Sequence, residues 1–270
     1  MGLFSFFRKS STSIPGVAVS TFLCKRDLLT IRGTEYRPAG DNLPIAIVSH
    51  GFMANQNTVR EYAKVLALQG YCTFIFDFCG GCLVRGKSDG NTRNMSVLTE
   101  VKDLEAVIRF ARSQPYTSDS LLLMGASQGG FVSSLVAAKP EMNVSKLVLF
   151  YPAFCIPDDA RAGKMMMARF DPENIPERLN CGPMKLGRCY PADVIKMDPF
   201  LEIQGYHGPV LIVHGTKDSI VNVDYAYRAK NAYLRSCGED NVTLKIIPDG
   251  AHGFSKEHDV LAKQYLKEFT

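Results

Sequence analysis

The sequence has no apolar stretch approaching the roughly 20 residues that a helix needs to cross a bilayer. It also has no basic stripe with interleaved aromatics. Its 31 Lys and Arg stand against 27 Asp and Glu, a net charge of +4, so nothing points to a nucleic-acid partner. Internal repeats and low-complexity linkers are absent. The opening "MGLFSFFRKSS" puts a short apolar patch before Arg8 and Lys9, the reverse of a secretory signal, and has Phe6 where a myristoylation start wants serine or threonine. Residues 1–15 are therefore read as a loose tail. The cysteines form no disulfide framework either. Eight are scattered over 270 residues, and Cys72 falls in a predicted buried strand, so a reduced, cytoplasmic setting is expected.

With 46% hydrophobic residues, the chain can bury one sizeable α/β core, assigned to residues 16–270. Strands are expected at 17–23, 28–36, 45–49, 72–77, 121–124, 146–151, 210–214 and 242–247. Helices are expected around 59–69, 96–112, 131–138, 225–236 and 255–269. In the second of these, Val97, Val101, Leu104, Ile108 and Ala111 share one face. The last is expected to turn Val260, Leu261, Tyr265, Leu266 and Phe269 toward the core. Alternating strands and helices imply crossover connections, hence a mostly parallel sheet of about eight strands with helices on both faces. More than fifty residues between Tyr151 and Pro209 break the rhythm. A structureless loop of that length is unusual in a compact domain, so a small cap is expected at about 155–205.

The chemistry centres on "LLLMGASQGG", Leu121–Gly130. A buried strand runs into Gly-Ala-Ser-Gln-Gly and then into a helix. A serine on such a sharp turn is lifted clear of the sheet, where it can act as a nucleophile. Ser127 then needs a base, a group to orient the base, and donors for the oxyanion. On this kind of sheet the chain order is serine, acid, histidine. Of the five histidines, His252 in "PDGAHGF" follows the last strand, whereas His258 lies on the polar side of the last helix. Asp218, leaving the strand in "VLIVHGTKD", is the expected acid, with Asp224 and Asp249 in reserve. The amides of Gln128 and of Phe52, in "SHGFMAN", are the expected oxyanion donors. His50 is read as a brace for that loop.

"HGF.AN" (His50–Asn55), "SQGG" (Ser127–Gly130), "HGTKDSIV" (His214–Val221) and "AHGF" (Ala251–Phe254) together resemble the α/β-hydrolase fold, and within it bacterial cinnamoyl and feruloyl esterases. The resemblance covers nearly the whole chain from about Val17. It implies hydrolysis of a small carboxylic ester through an acyl-enzyme on Ser127, without cofactor or metal, and a cap that helps shape the acyl pocket. The chain departs from these relatives at Ala126, where many carry histidine, and at "FCGGCLVRGKSDG" after Asp77. Two other readings stand beside this one: a peptidase or amidase using the same residues, and a non-catalytic relative that binds a ligand or partner. A homodimer is left open. Cys79 and Cys82, a Cys-x-x-Cys pair, are read as part of an irregular loop, because a redox pair would open a helix and no second Cys/His pair completes a zinc site. Met165–Met167 are read as cap core.

Overall fold

The structure is a computed structural model that describes residues 14–83 and 88–270. All but the last two residues of the expected 1–15 tail, and 84–87 of the loop after Asp77, lie outside that description. The elements run β1 (Val17–Arg26), β2 (Leu29–Pro38), β3 (Leu43–Ser49), α1 (Arg60–Leu68), β4 (Cys72–Phe76), α2 (Val97–Arg112), β5 (Thr117–Ala126), α3 (Gln128–Ala137) and β6 (Lys146–Phe150). There follow α4 (Ile156–Arg161), β7 (Lys164–Met165), β8 (Ala168–Arg169), β9 (Arg178–Cys181), β10 (Met184–Gly187), α5 (Cys189–Val194) and α6 (Pro199–Glu202). The chain ends with β11 (Val210–Gly215), α7 (Asp224–Cys237), β12 (Val242–Ile247) and α8 (Lys256–Phe269).

Eight strands form one sheet in the order β1-β2-β4-β3-β5-β6-β11-β12. β2 pairs antiparallel with both β1 and β4, and every other pairing is parallel. The uninterrupted apolar runs of the central strands follow from burial on both faces. In β5, Leu121 and Leu123 join one core with α2 and α3, while Leu122 and Met124 join the other with α1 and α8. β3 divides likewise, Ile45 and Ile47 against Ala46 and Val48. The face read on α2 is fully internal. A capping box starts that helix: Ser96 Oγ accepts from Thr99 N–H, and Thr99 Oγ1 accepts from Ser96 N–H.

One core expectation for α8 is wrong. Val260 is 67% exposed. The stripe that α8 buries is Ala262 and Leu266, with Leu261, Tyr265 and Phe269 half-buried beside it. Val260, two residues before Ala262, lies on the far side of the helix. The apolar stripe passes through a small alanine, which composition alone undervalues.

The segment between β6 and β11 is built from small elements. It consists of short helices and two hairpins, β7/β8 and β9/β10. Met165 is buried within it, while Met166 and Met167 form the exposed tip of the first hairpin, 43% and 75% accessible. Only Met165 therefore meets the expectation of core. No helix among the described residues is long and apolar enough to cross a membrane.

Candidate active site

The turn from β5 into α3 leaves almost no space. A Cβ on Gly125 would sit 2.1 Å from Gly129 O, and one on Gly129 would sit 2.4 Å from His50 O. Strand, helix and the neighbouring loop pass so closely that only glycine fits at these two positions. Ser127 takes the tip with φ 54° and ψ −121°, a left-handed conformation that costs a non-glycine residue of order 1–3 kcal/mol. Its carbonyl accepts from Gly130 N–H and Ala153 N–H, and its own N–H donates to Phe150 O at 2.9 Å. These bonds secure the strained turn and leave Oγ facing the sheet's carboxyl edge.

Two later turns deliver the partners. Those after β11 and β12 are stitched together: Lys217 N–H donates to Gly250 O at 2.9 Å, Asp249 N–H to Thr216 Oγ1 at 2.8 Å, and Lys217 Nζ meets Asp249 Oδ1 at 2.9 Å. Asp218 and His252 are thereby brought side by side. His252 Nδ1 lies 2.8 Å from Asp218 Oδ2, and its Nε2 lies 3.0 Å from Ser127 Oγ. With Nδ1–H donating to the carboxylate, Nε2 presents its lone pair to the serine hydroxyl. Of the reserve acids, Asp249 is tied to Lys217 and Asp224 opens α7.

Asp218 Oδ1 accepts from Ile220 N–H and Val221 N–H, each at 2.9 Å. His214 Nε2 stands 3.2 Å from Oδ2 and 2.9 Å from Val221 O. Burial works to raise this carboxyl's pKa. The hydrogen bonds from His214, His252 and Val221 N–H outweigh it and hold the group far below the usual carboxylate range. The charge therefore persists inside the protein beside the imidazole. Sequence reasoning missed His214. Its strand end, four residues before Asp218, was the available signal. Tyr151 was missed too. Its ring lies 4.7 Å from that of His252 and 4.8 Å from that of Phe254, so it backs the imidazole.

The loop after β3 closes the near side of Ser127, where a Cβ on Gly51 would be 3.0 Å from Ser127 Cβ. His50 braces this loop as expected. Its Nδ1–H donates to Gly51 O at 2.8 Å, and its Nε2 accepts Phe78 N–H at 3.2 Å. Burial lowers the His50 pKa, which suits a neutral ring with one nitrogen donating and the other accepting. No acceptor among the described residues takes Phe52 N–H. Gln128 is the first residue of α3, so its amide is among the donors a helix leaves unpaired, at the positive end of the helix dipole. Gln128 thus follows Ser127 directly, and Phe52 follows Gly51, which packs on Ser127.

Cys79 and Cys82 lie in the irregular loop after β4, and all eight cysteines are free thiols. Burial pushes both thiols up, reinforced at Cys79 by Asp103 and at Cys82 by Asp77 and Glu100. A reactive dithiol needs the opposite shift. His50, Asp77 and Cys82 bring donor atoms within 4.8 Å of one another, the one such metal-capable group among the described residues. Hydrogen bonds already engage it: Gln56 N–H and Nε2–H reach the two Asp77 oxygens, and Phe78 N–H takes the His50 lone pair.

A model of the Hydrolase_4 family, described as serine aminopeptidase, S33, matches residues 41–185, more than half of the chain. The chain belongs to this family. Among solved structures, the S33-type chain is similar to Est1E from Butyrivibrio proteoclasticus, solved with ferulic acid bound. The two are 27% identical with a TM-score of 0.82, over 92% of this chain and 97% of that one. Esterase Pf2001 of Pyrococcus furiosus aligns with a TM-score of 0.70 at 17% identity, over 94% of this chain and 91% of that one, a likeness of fold alone. A non-reducing polyketide synthase of Emericella nidulans is 33% identical over 76 residues, which are 27% of this chain and 3% of that protein. The α/β-hydrolase architecture is thus common to this chain and its structural neighbours.

Proposed function

We propose that the chain is a serine esterase in which Ser127, His252 and Asp218 form the catalytic set. The observation that carries this reading is the continuous path Asp218 Oδ2–His252–Ser127 Oγ, with links of 2.8 and 3.0 Å. His252 takes the hydroxyl proton as Ser127 attacks the ester carbonyl, and Asp218 stabilises the imidazolium that results. The amides of Phe52 and Gln128 hold the oxyanion. The imidazolium then protonates the leaving alcohol, and water, deprotonated by the same ring, releases the acid.

Two cavities meet at Ser127 and His252. One, of about 430 Å³, runs beneath the segment between β6 and β11, read as a cap, and is lined by Met165, Met166, Met167, Ile156, Leu186 and Val221 among others. Its adaptable apolar walls suit the acyl group. The other, of about 420 Å³, is lined by Thr58, Glu61, Tyr62, Lys256 and Asp259 and suits a polar alcohol. The likeness to Est1E supports an ester with an aromatic or medium-length acyl part. The family's aminopeptidase description supports a second reading, amide cleavage at a free amino terminus. An ammonium would need an unpaired carboxylate in the apolar cavity, and Asp159 there stands 3.5 Å from Lys164 Nζ. The ester reading is therefore preferred.

The test is turnover of p-nitrophenyl acetate and butyrate against aminoacyl-p-nitroanilides. Ester hydrolysis that disappears in Ser127→Ala, with Ser127 labelled by a fluorophosphonate, is the expected result. Turnover of anilides alone would install the peptidase. Neither turnover nor labelling would leave a ligand-binding relative.

A further inference from the structure

We propose that Tyr190 is a positioning residue for catalysis, holding Gln128 and Phe52, the two oxyanion residues, in register with each other. This rests on the esterase reading above. Tyr190 is the second residue of α5, within the segment read as a cap, and is 3% exposed. Its hydroxyl donates to Gln128 Oε1, while Gln128 Nε2 donates to Glu100 Oε2 at 2.7 Å. Its ring lies 5.6 Å from the Phe52 ring, tilted by 51°. One side chain from the cap thus touches both residues whose amides face the oxyanion.

The arrangement constrains motion where it matters. Both ends of the Gln128 amide are engaged, so the residue next to the nucleophile cannot swing. Phe52 stands in a loop whose next residue, Met53, has a positive φ, and the ring contact from Tyr190 backs that loop. Carboxyl, amide and phenol are all nearly inaccessible. Among the described residues the side-chain bonds that offset removing these three groups from water are their bonds to one another, and apolar sets of similar shape often pack at least as well. The polar chain is therefore better explained by the geometry it imposes than by stability. Catalysis through an oxyanion hole depends on donors placed within a few tenths of an ångström.

Tyr190→Phe keeps the ring and deletes the hydroxyl. Direct loss of an oxyanion donor costs about 100- to 1000-fold, so loss of a positioning bond should lower kcat on p-nitrophenyl butyrate by about tenfold. KM should stay within twofold. Affinity for an alkyl boronic acid, which becomes tetrahedral on Ser127, should fall by the same factor, while competitive inhibition by butyrate should not change. Glu100→Leu should reproduce the loss, the double variant should add nothing further, and Glu100→Gln, which keeps an acceptor oxygen, should retain kcat. Thermal melts establish that each variant is folded; if Glu100→Leu is not, the contrast between Tyr190→Phe and Glu100→Gln carries the test. A raised KM with unchanged kcat and boronate affinity would make Tyr190 a mere pocket wall and overturn the proposal, as would additive losses. Failure of the esterase reading shows separately, as ester turnover that survives Ser127→Ala.

Discussion

At the scale of single residues, the site spends its hydrogen bonds unevenly, and Asp218 receives the most. Two backbone amides, His252 and His214 all point at one carboxylate. Without them burial would push the group toward its neutral form, and a neutral acid could not stabilise an imidazolium. His214 itself is only partly satisfied, since its Nδ1 is buried with no partner among the described residues. Replacing it with Phe removes one donor from Asp218 and also removes that unpaired nitrogen, so the fold should survive. A hydrogen bond to a charged group is worth about 1.5–3 kcal/mol, and about 1.4 kcal/mol is a factor of ten in rate, so kcat/KM should fall by at least about tenfold. Steady-state kinetics on a p-nitrophenyl ester would measure it. A change smaller than twofold would mean that the two amides and His252 hold the carboxylate unaided.

At the scale of elements, the β5–α3 turn is where tolerance is least. Gly129→Ala forces a methyl carbon to 2.4 Å from His50 O and 2.5 Å from Ser49 O, both backbone atoms that cannot rotate aside. Overpacking typically costs about 1–3 kcal/mol when side chains can yield, and here none can, so a loss of at least about 3 kcal/mol is expected in urea unfolding. Wild-type stability in that variant would show that the α3 end can back away from β3. The same crowding explains why this turn was legible from residues alone. A glycine required by backbone contact leaves a fixed letter at a fixed spacing, and a strand buried on both faces leaves an unbroken apolar run. Ser127, Asp218 and His252 each sit beside such a marker. His214 and Tyr151 also stand at strand ends, but nothing in the sequence says which side chain at such an end meets Asp218 or His252, and Glu100 and Tyr190 have no marker at all. Glu100, Gln128 and Tyr190 come together through tertiary packing of α2, α3 and α5, and a glutamate among apolar residues on α2 reads as an ordinary surface position. The segment from 155 to 205 was visible only as a break in rhythm, because two- to four-residue strands are too short to show a period.

At the scale of the whole molecule, buried charges with opposite shifts should give stability a two-sided pH dependence. Asp218 titrates lower in the folded chain than the roughly 3.9 of an unfolded aspartate. Its contribution is complete above that value and is lost as pH falls through the lower folded pKa, where the unfolded chain holds more protons. Burial lowers the His50 pKa as well, so His50 adds to the acid-side loss, beginning below the roughly 6.5 of an unfolded histidine. Glu100 acts in the other direction. Burial first, with the nearby Asp103 charge adding to it, holds this carboxyl well above the ordinary range despite the bond from Gln128. Above the roughly 4.3 of an unfolded glutamate, the unfolded chain has released its proton and the folded chain has not, so stability declines as pH rises toward the folded value. Asp103 is also shifted up and contributes with the same sign. Glu100→Gln, the isostere of the protonated acid, should remove its share of this decline. Plotted from pH 3 to 9, Tm for Glu100→Gln should pull progressively above wild type as pH rises past about 5. Asp218→Asn should instead flatten the fall below about pH 4. Parallel curves for wild type and Glu100→Gln across the neutral range would mean that Glu100 is ionised in the folded protein, with the Gln128 amide and its surroundings carrying a full buried charge behind Ser127.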